Sequence, residues 1–393
     1  MPQAVILSAC RTAIGKFGKS LVGVPAVRLG QVALREAIER SAVKAGRIDE
    51  VIMGNVISAG LGQNPARQAA VYAGVPVRVG SFTLNKVCGS GLKAVMLAAQ
   101  AIKAGDADVV AAGGMESMSN APYLVKELRW GTRYGDTRLI DSMRNDGLWD
   151  IYNEFHMGMT GERIAKKYHI SRRQADEFAY ESHMKALRAQ REGAFRQEIV
   201  AVEIEKTSGE KFIFSTDECV RADTTVENLS DLKPVFKPGG VLTAGNSSQL
   251  SDGASALIVA SDEFVTSSGT KPIARVIDYC TGGLKPEDVM EAPIPTVRAL
   301  LKKTGISMDN IDLFEHNEAY ATASIAVKRE LGVPEERFNV NGGAVSLGHP
   351  LGCSGARVLT TLIHALKRRG KKTGLATLCL GGGNAVAMII EIE

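Results

Sequence analysis

Ser90-Gly91-Leu92-Lys93-Ala94-Val95-Met96-Leu97-Ala98-Ala99-Gln100-Ala101-Ile102-Lys103-Ala104-Gly105 has the helical period, with Leu92, Val95, Met96, Ala99 and Ile102 on one face. Gly105 ends the helix, and Asp108 to Ala112 then reads as a short buried strand that stops at Gly113-Gly114. The same sentence returns near the C-terminus. Ser354-Gly355 opens a helix with Leu359, Leu362, Ile363 and Leu366 on one face. Gly370 breaks it, and Leu375 to Leu380 runs as a strand into Gly381-Gly382-Gly383. A second echo, Ile48-Asp49-Glu50-Val51 against Ile311-Asp312-Leu313-Phe314, keeps the order. Two echoes in one order indicate a duplication. Strands alternating with helices in both outer thirds give the class, α/β.

The middle of the chain differs. Residues 120–249 hold 13 of the 21 aromatic residues, both tryptophans included, and carry 19 basic against 20 acidic side chains. This reads as a segment inserted between the halves. Within it, 171–192 reads as a helix with Ser171 as N-cap and Gln174 completing a capping box. Arg163, Lys166, Lys167, Arg172 and Arg173 read mostly as a solvated face.

Composition bounds the function. The chain has 393 residues, 45% hydrophobic and 23% charged, which suits two or three globular domains and excludes a fibre or a disordered chain. The net charge of +4 makes no case for nucleic acid. No apolar run is long enough to span a membrane. The N-terminal Met-Pro-Gln-Ala-Val-Ile-Leu-Ser-Ala-Cys-Arg reads as a first strand rather than a signal peptide, so a cytoplasmic setting with reduced thiols is expected. Gly60-Leu61-Gly62 lacks the spacing of a dinucleotide site, and the six cysteines and six histidines lack zinc spacing, so no metal is expected.

Four segments can carry chemistry. In Asn85-Lys86-Val87-Cys88-Gly89-Ser90-Gly91 a cysteine sits where a strand turns into a helix, whose N-terminus favours a thiolate; a buried structural cysteine fits equally well. In Gly348-His349-Pro350 a histidine sits in a constrained loop and can act as a base. Cys379 lies near a strand end before three glycines whose N–H groups can line an oxyanion site, although core filling is the commoner role. His316-Asn317-Glu318-Ala319-Tyr320 falls at another strand end; the Asn-Glu pair can orient a water, and Asn317 reads also as the N-cap of a helix through Ile325 and Val327.

Taken together, these segments resemble the thiolases, acyl-CoA acetyltransferases that make or cleave 3-ketoacyl-CoA. The likeness runs from Ser8-Ala9-Cys10-Arg11-Thr12 to the last strand; Asn-Glu-Ala, Gly-His-Pro and Cys-Leu-Gly-Gly-Gly in this order carry most of it. The resemblance implies a five-layered αβαβα fold of two duplicated halves. It places residues 1–119 and 250–270 in the first half, with Ala254 to Ala260 as its last strand. Residues 120–249 become a loop domain for coenzyme A binding and tetramer contact, and 271–393 the second half. Cys88 then resembles the acyl-carrying nucleophile, His349 its base, and Cys379 the acid/base at the methyl of a second acetyl-CoA. Asn317 would hold a water at the enolate oxygen, and the N–H groups of Cys88 and Gly381 would form a second oxyanion hole. Thr243 to Ser248 resembles the pantetheine loop, with Ser248 as donor, Phe236, Ala244 and Ala319 lining a tunnel, and Arg221 near the adenine and phosphate end. From the residues alone that stretch reads as a turn. His156-Met157, with Leu148 added to the pocket, resembles the short-chain, acetoacetyl-CoA type. Tyr320, where many members have phenylalanine, and Gln249, where glycine is commoner, are departures. Substrates would be acetyl-CoA, acetoacetyl-CoA and CoA, without a further cofactor, and the assembly a homotetramer whose contact loop spans 120–145. The competing readings are a broader-range degradative 3-ketoacyl-CoA thiolase, a malonyl-dependent condensing enzyme, which would use a second histidine where Cys379 stands, and an inactive binding protein on the same fold.

Overall fold

The computed structural model describes residues 2–205 and 209–393. The first half runs β1 (Ala4–Thr12), α1 (Ala26–Ser41), β2 (Glu50–Gly54), α2 (Pro65–Tyr72), β3 (Gly80–Leu84), α3 (Ser90–Ala104) and β4 (Val109–Ser117). The middle contributes α4 (Gly158–Lys167) and α5 (Arg172–Arg191) among loops and short hairpins, and β5 (Ser251–Ser261) returns to the first half. The second half runs β6 (Ala274–Gly283), α6 (Pro293–Thr304), β7 (Leu313–His316), α7 (Ala321–Leu331), α8 (Leu351–Arg369), β8 (Thr373–Leu380) and β9 (Asn384–Ile392).

The strands form one ladder in the order β7-β8-β9-β6-β1-β5-β4-β2-β3. Its midpoint is a two-residue contact, Val5 with Arg275 and Ile6 with Ala274. Outward from that point both halves follow one rule. β1–β5 and β5–β4 are antiparallel, then β4–β2 and β2–β3 parallel. β6–β9 and β9–β8 are antiparallel, then β8–β7 parallel. Even the isolated parallel bridge of Phe314 with Phe338 stands where β3 stands in the first half. The duplication is therefore real at the level of strand order and sense.

The layers follow from where the apolar faces go. One core lies between α1, α2 and the first sheet, and another between the second sheet and α6, α7. Between the sheets lies a core built from α3 and α8, with Leu92, Val95, Met96, Ala99, Ile102, Leu359, Leu362, Ile363 and Leu366 all buried. α3 and α8 are the two repeat helices, and they cross near their N-termini. A Cβ on Gly91 would sit 2.6 Å from the Ala356 nitrogen, and one on Gly355 would sit 2.3 Å from the Leu92 nitrogen. Two glycines at matching repeat positions thus let the backbones touch. The crossing brings the loops before each helix, which carry Cys88 and His349, to one place.

The capping box of α5 is formed, Ser171 accepting from the Gln174 N–H and the Gln174 side chain accepting from the Ser171 N–H. Four of the five residues of the basic cluster form ion pairs: Arg163 with Asp288, Lys167 with Glu291, Arg172 with Asp176 and Arg173 with Glu177. The Asn317 cap is not observed. α7 starts at Ala321 with Tyr320 as its N-cap, because the Asn317 side chain is turned toward His349 instead.

Candidate active site

Cys88 owes its position to a strained turn. Between β3 and α3 the chain must reverse within Asn85 to Gly89. Val87 is forced to φ 47°, which a β-branched residue adopts only under constraint. The constraint is a clasp: Asn85 Oδ1 accepts from the Val87 N–H at 3.0 Å, the Lys86 N–H donates to Ser90 Oγ at 2.8 Å, and Ser90 Oγ donates to the Val87 carbonyl at 2.6 Å. Gly89 passes so close to the end of β8 that a Cβ would lie 2.2 Å from Leu380. The thiol therefore emerges beside Cys379 and Gly381. The Gly381 N–H and the Cys88 N–H both point at Sγ and favour its anionic form, but burial dominates and pushes the thiol up to about 12. At neutral pH it is protonated and needs a base.

His349 is unprotonated at the nitrogen that faces the site. Gly348, at φ 103°, passes over Ser251, whose Oγ a Cβ would meet at 2.2 Å. The His349 N–H donates to the Gln249 carbonyl at 2.9 Å, and Nδ1 lies 2.6 Å from Ser354 Oγ. That hydroxyl donates its one hydrogen to the Pro350 carbonyl at 2.9 Å. It can only accept from the ring, so the proton sits on Nδ1 and Nε2 keeps its lone pair. Burial, with a smaller contribution from the Arg357 charge, lowers the imidazole to about 3, so it is neutral in the resting site. Nε2 stands 3.4 Å from Asn317 Nδ2.

Asn317 is held by its N–H to the Thr377 carbonyl at 3.1 Å, while its buried Oδ1 has no partner among the described residues. Glu318, the other half of the Asn-Glu pair, does not enter the site. Its carboxylate accepts from Asn339 Nδ2 and Ser182 Oγ, both at 2.7 Å, and from the Val345 N–H at 3.1 Å. It is a brace that ties β7 to the loop before His349, which corrects its reading as a residue that orients water. Cys379 lies at the end of β8, buried, with Sγ donating to Met290 Sδ at 3.7 Å; burial raises its thiol strongly.

These groups meet in a chamber of about 40 Å³ lined by Cys88, His349, Cys379 and Gly381 together with Leu148, Met157, Ser248, Ala319 and Tyr320. The chamber shares Leu148, Ser248, Tyr320, His349 and Leu351 with an outer tunnel of about 410 Å³. His156, Arg221, Phe236 and Ala244 line the tunnel. The residues that the resemblance assigns to catalysis and coenzyme A binding are thus brought to one cavity system, Asn317 through its contact with His349, while Glu318 stays outside it. Phe236 stacks on His156 with centroids 4.9 Å apart, made possible by Gly158, where a Cβ would lie 2.3 Å from that ring. Burial lowers the His156 pKa, with the Arg144 charge adding to it.

Sequence reasoning missed Lys16 and Phe17 at the tunnel, Val289 and Met290 in the chamber, and Ser354 behind His349. Ser354 was detectable as a hydroxyl in the first turn of a helix that follows Gly-His-Pro. Met290 carries no local signal, since it reaches the site from the short helical turn Pro286–Glu291 of the other half. Among the described residues, no group of three or more His, Cys, Asp and Glu side chains is arranged to hold a metal ion, and no helix is long and apolar enough to cross a membrane.

Comparison with known proteins agrees with this geometry. Residues 4–263 match the family model for the thiolase N-terminal domain and 270–392 that for the C-terminal domain. The chain is 50% identical to the acetyl-CoA acetyltransferase of Pseudomonas aeruginosa, over 99% of each chain, and 49% identical to that of Cupriavidus necator, over 100% of each. A crystal structure of the Bacillus anthracis acetyl-CoA acetyltransferase superposes with a TM-score of 0.98 at 42% identity, covering 100% of this chain and 99% of that one. The Cys88 turn, the histidine loop and the strand-end cysteine thus sit in a chain that, over nearly its whole length, belongs to the thiolase family.

Proposed function

We propose that the protein is an acetyl-CoA acetyltransferase, which condenses two acetyl-CoA into acetoacetyl-CoA and CoA, and runs the reverse, through a thioester on Cys88. The observation that carries this is the meeting of Cys88, His349 and Cys379 at the closed end of one tunnel. Full-length relatives near 50% identity that bear this name support it.

In the forward direction His349 Nε2 takes the Cys88 proton and the thiolate attacks the acetyl carbonyl. The oxyanion lies against the Cys88 and Gly381 N–H groups. The thioester bond to CoA breaks, and the departing CoA thiolate takes the proton of Cys379. The second acetyl-CoA then loses a methyl proton to the Cys379 thiolate. Its enolate oxygen is met by the His349 imidazolium and a water on Asn317. The enolate carbon attacks the Cys88 thioester, the new carbon–carbon bond forms, and the Cys88 thiolate leaves and recovers its proton from His349. No cofactor beyond the coenzyme A thioesters is needed. Phe236, Ala244, Ala319 and Ser248 would hold pantetheine, and the Lys16 and Arg221 side chains, which line the tunnel, would meet the phosphates. The small chamber, closed by Leu148, Met157 and Met290, favours the acetyl group over long acyl chains.

A homotetramer is part of the same reading. The loop at 120–145 exposes Trp130 at 89% and Tyr134 at 99%, and β3 is an open sheet edge carrying Phe82. CoA-dependent cleavage of acetoacetyl-CoA, followed by loss of its enolate absorbance, tests the function. Fast cleavage abolished in Cys88→Ser is expected. Comparable turnover of a long 3-ketoacyl-CoA would move the protein to the broad-range degradative class, and no cleavage of either would reject the thiolase activity.

A further inference from the structure

Tyr320 stands where chamber and tunnel join. Its backbone is fixed by a bridge to Ser247 and by the Ala321 N–H, which donates to the Asn246 carbonyl at 3.0 Å. Its ring is gripped on two sides. Phe236 meets it edge-on with centroids 5.8 Å apart. Gly161 lies against the other side, where even a Cβ would come 3.0 Å from Tyr320 Cγ. The residue is 6% exposed. Its hydroxyl nevertheless makes no hydrogen bond to any described residue. Burial, and then the neighbouring Cys88 and Cys379, hold the phenol in its neutral, donating form.

Beside Cys88, Ser248, His349 and Cys379, the rest of the chamber wall is largely apolar, with Leu148, Met157, Val289, Met290 and Leu351. We propose that Tyr320 is a specificity-determining residue, whose unpartnered hydroxyl disfavours acyl groups with apolar tails at Cys88 and so biases the site toward acetyl. The proposal rests on the thiolase reading above. An acetyl group leaves room for a water on the hydroxyl. A longer alkyl tail displaces that water and offers no acceptor in return. A buried donor left unpaired in this way costs about tenfold in selectivity.

The test is thiolysis of acetoacetyl-CoA and 3-ketohexanoyl-CoA, which leave acetyl and butyryl on Cys88, by the wild type, Tyr320→Phe and Tyr320→Met. Wild-type cleavage of acetoacetyl-CoA reads the function. The ratio of kcat/KM between the two substrates reads Tyr320 alone. Tyr320→Phe is expected to shift that ratio about tenfold toward the six-carbon substrate, with Tyr320→Met shifting it the same way. An unchanged ratio, or one that moves toward acetoacetyl-CoA, overturns the proposal. If neither variant folds, competition binding to the wild type decides: equal or tighter binding of butyryl-CoA than of acetyl-CoA overturns the proposal.

Discussion

Ser354 decides which nitrogen of His349 can act as a base. Its hydroxyl is fully buried, spends its hydrogen on the Pro350 carbonyl, and is left to accept from Nδ1. Removing it leaves an imidazole N–H without a partner in a dry site, at a cost of about 1–3 kcal/mol, and frees the ring to exchange tautomers. Ser354→Ala should therefore lower kcat for acetoacetyl-CoA cleavage about 10- to 100-fold while KM changes little. Ser354→Thr, which keeps the oxygen, should recover most of the loss. A helix-packing role would show the opposite pattern, with Thr as harmful as Ala and kcat untouched in both.

At the scale of elements, the site is a consequence of two helices crossing. α3 and α8 follow the loops that carry Cys88 and His349, and the backbone contact at Gly91 and Gly355 helps to set how far apart those loops stand. In Gly355→Ala the new methyl must push α8 off the Leu92 backbone, since the atom it meets is a main-chain nitrogen and cannot rotate aside. Overpacking of this kind costs about 1–3 kcal/mol, and here it also widens the gap between Cys88 and His349. Thermal unfolding should shift down by several degrees, and the refolded variant should be slower in turnover at saturating substrate. A variant of wild-type stability and rate would show that the crossing is not rigid. The duplication behind this crossing was legible from sequence, because glycine punctuation and apolar periodicity recur in one order. Cys88, His349 and Cys379 were legible for the same reason: each stands beside glycines at the end of an element. Glu318 was misread because its neighbours in space, Ser182 and Asn339, come from α5 and from a turn that no local pattern ties to it. The cap reading of Asn317, held beside its site reading, arose because an asparagine before a helix carries that signal whether or not its side chain is needed elsewhere.

Over the whole molecule, buried ionisable groups set how stability depends on pH. His349 and His316 are lowered to about 3 and His183 to about 4, each chiefly by burial. Asp252 is raised to about 6, Glu116 to about 7 and Glu315 to about 8, again chiefly by burial. The two sets act in opposite senses. Below the ordinary histidine value of 6.5 the unfolded chain binds protons that the folded histidines refuse, so stability from this source rises with pH up to about 6.5 and then stops changing. Above the ordinary carboxyl values the unfolded chain has released protons that the three folded carboxyls still hold, so stability from this source falls as pH rises, until about 8. Below about pH 5 the histidines prevail. Between about 6.5 and 8 only the carboxyls still titrate differently in the two states. The apparent Tm, measured at fixed protein concentration, should thus rise from pH 4, level off near pH 5–6 and fall between pH 6.5 and 8. Glu116 should account for part of that fall, although its carboxylate accepts from the Val56, Ile57 and Gly352 N–H groups, because burial outweighs those bonds. A Tm that continues to climb through pH 8 would mean that these carboxyls are already ionised in the folded protein, and that its interior hydrates them more fully than their burial implies.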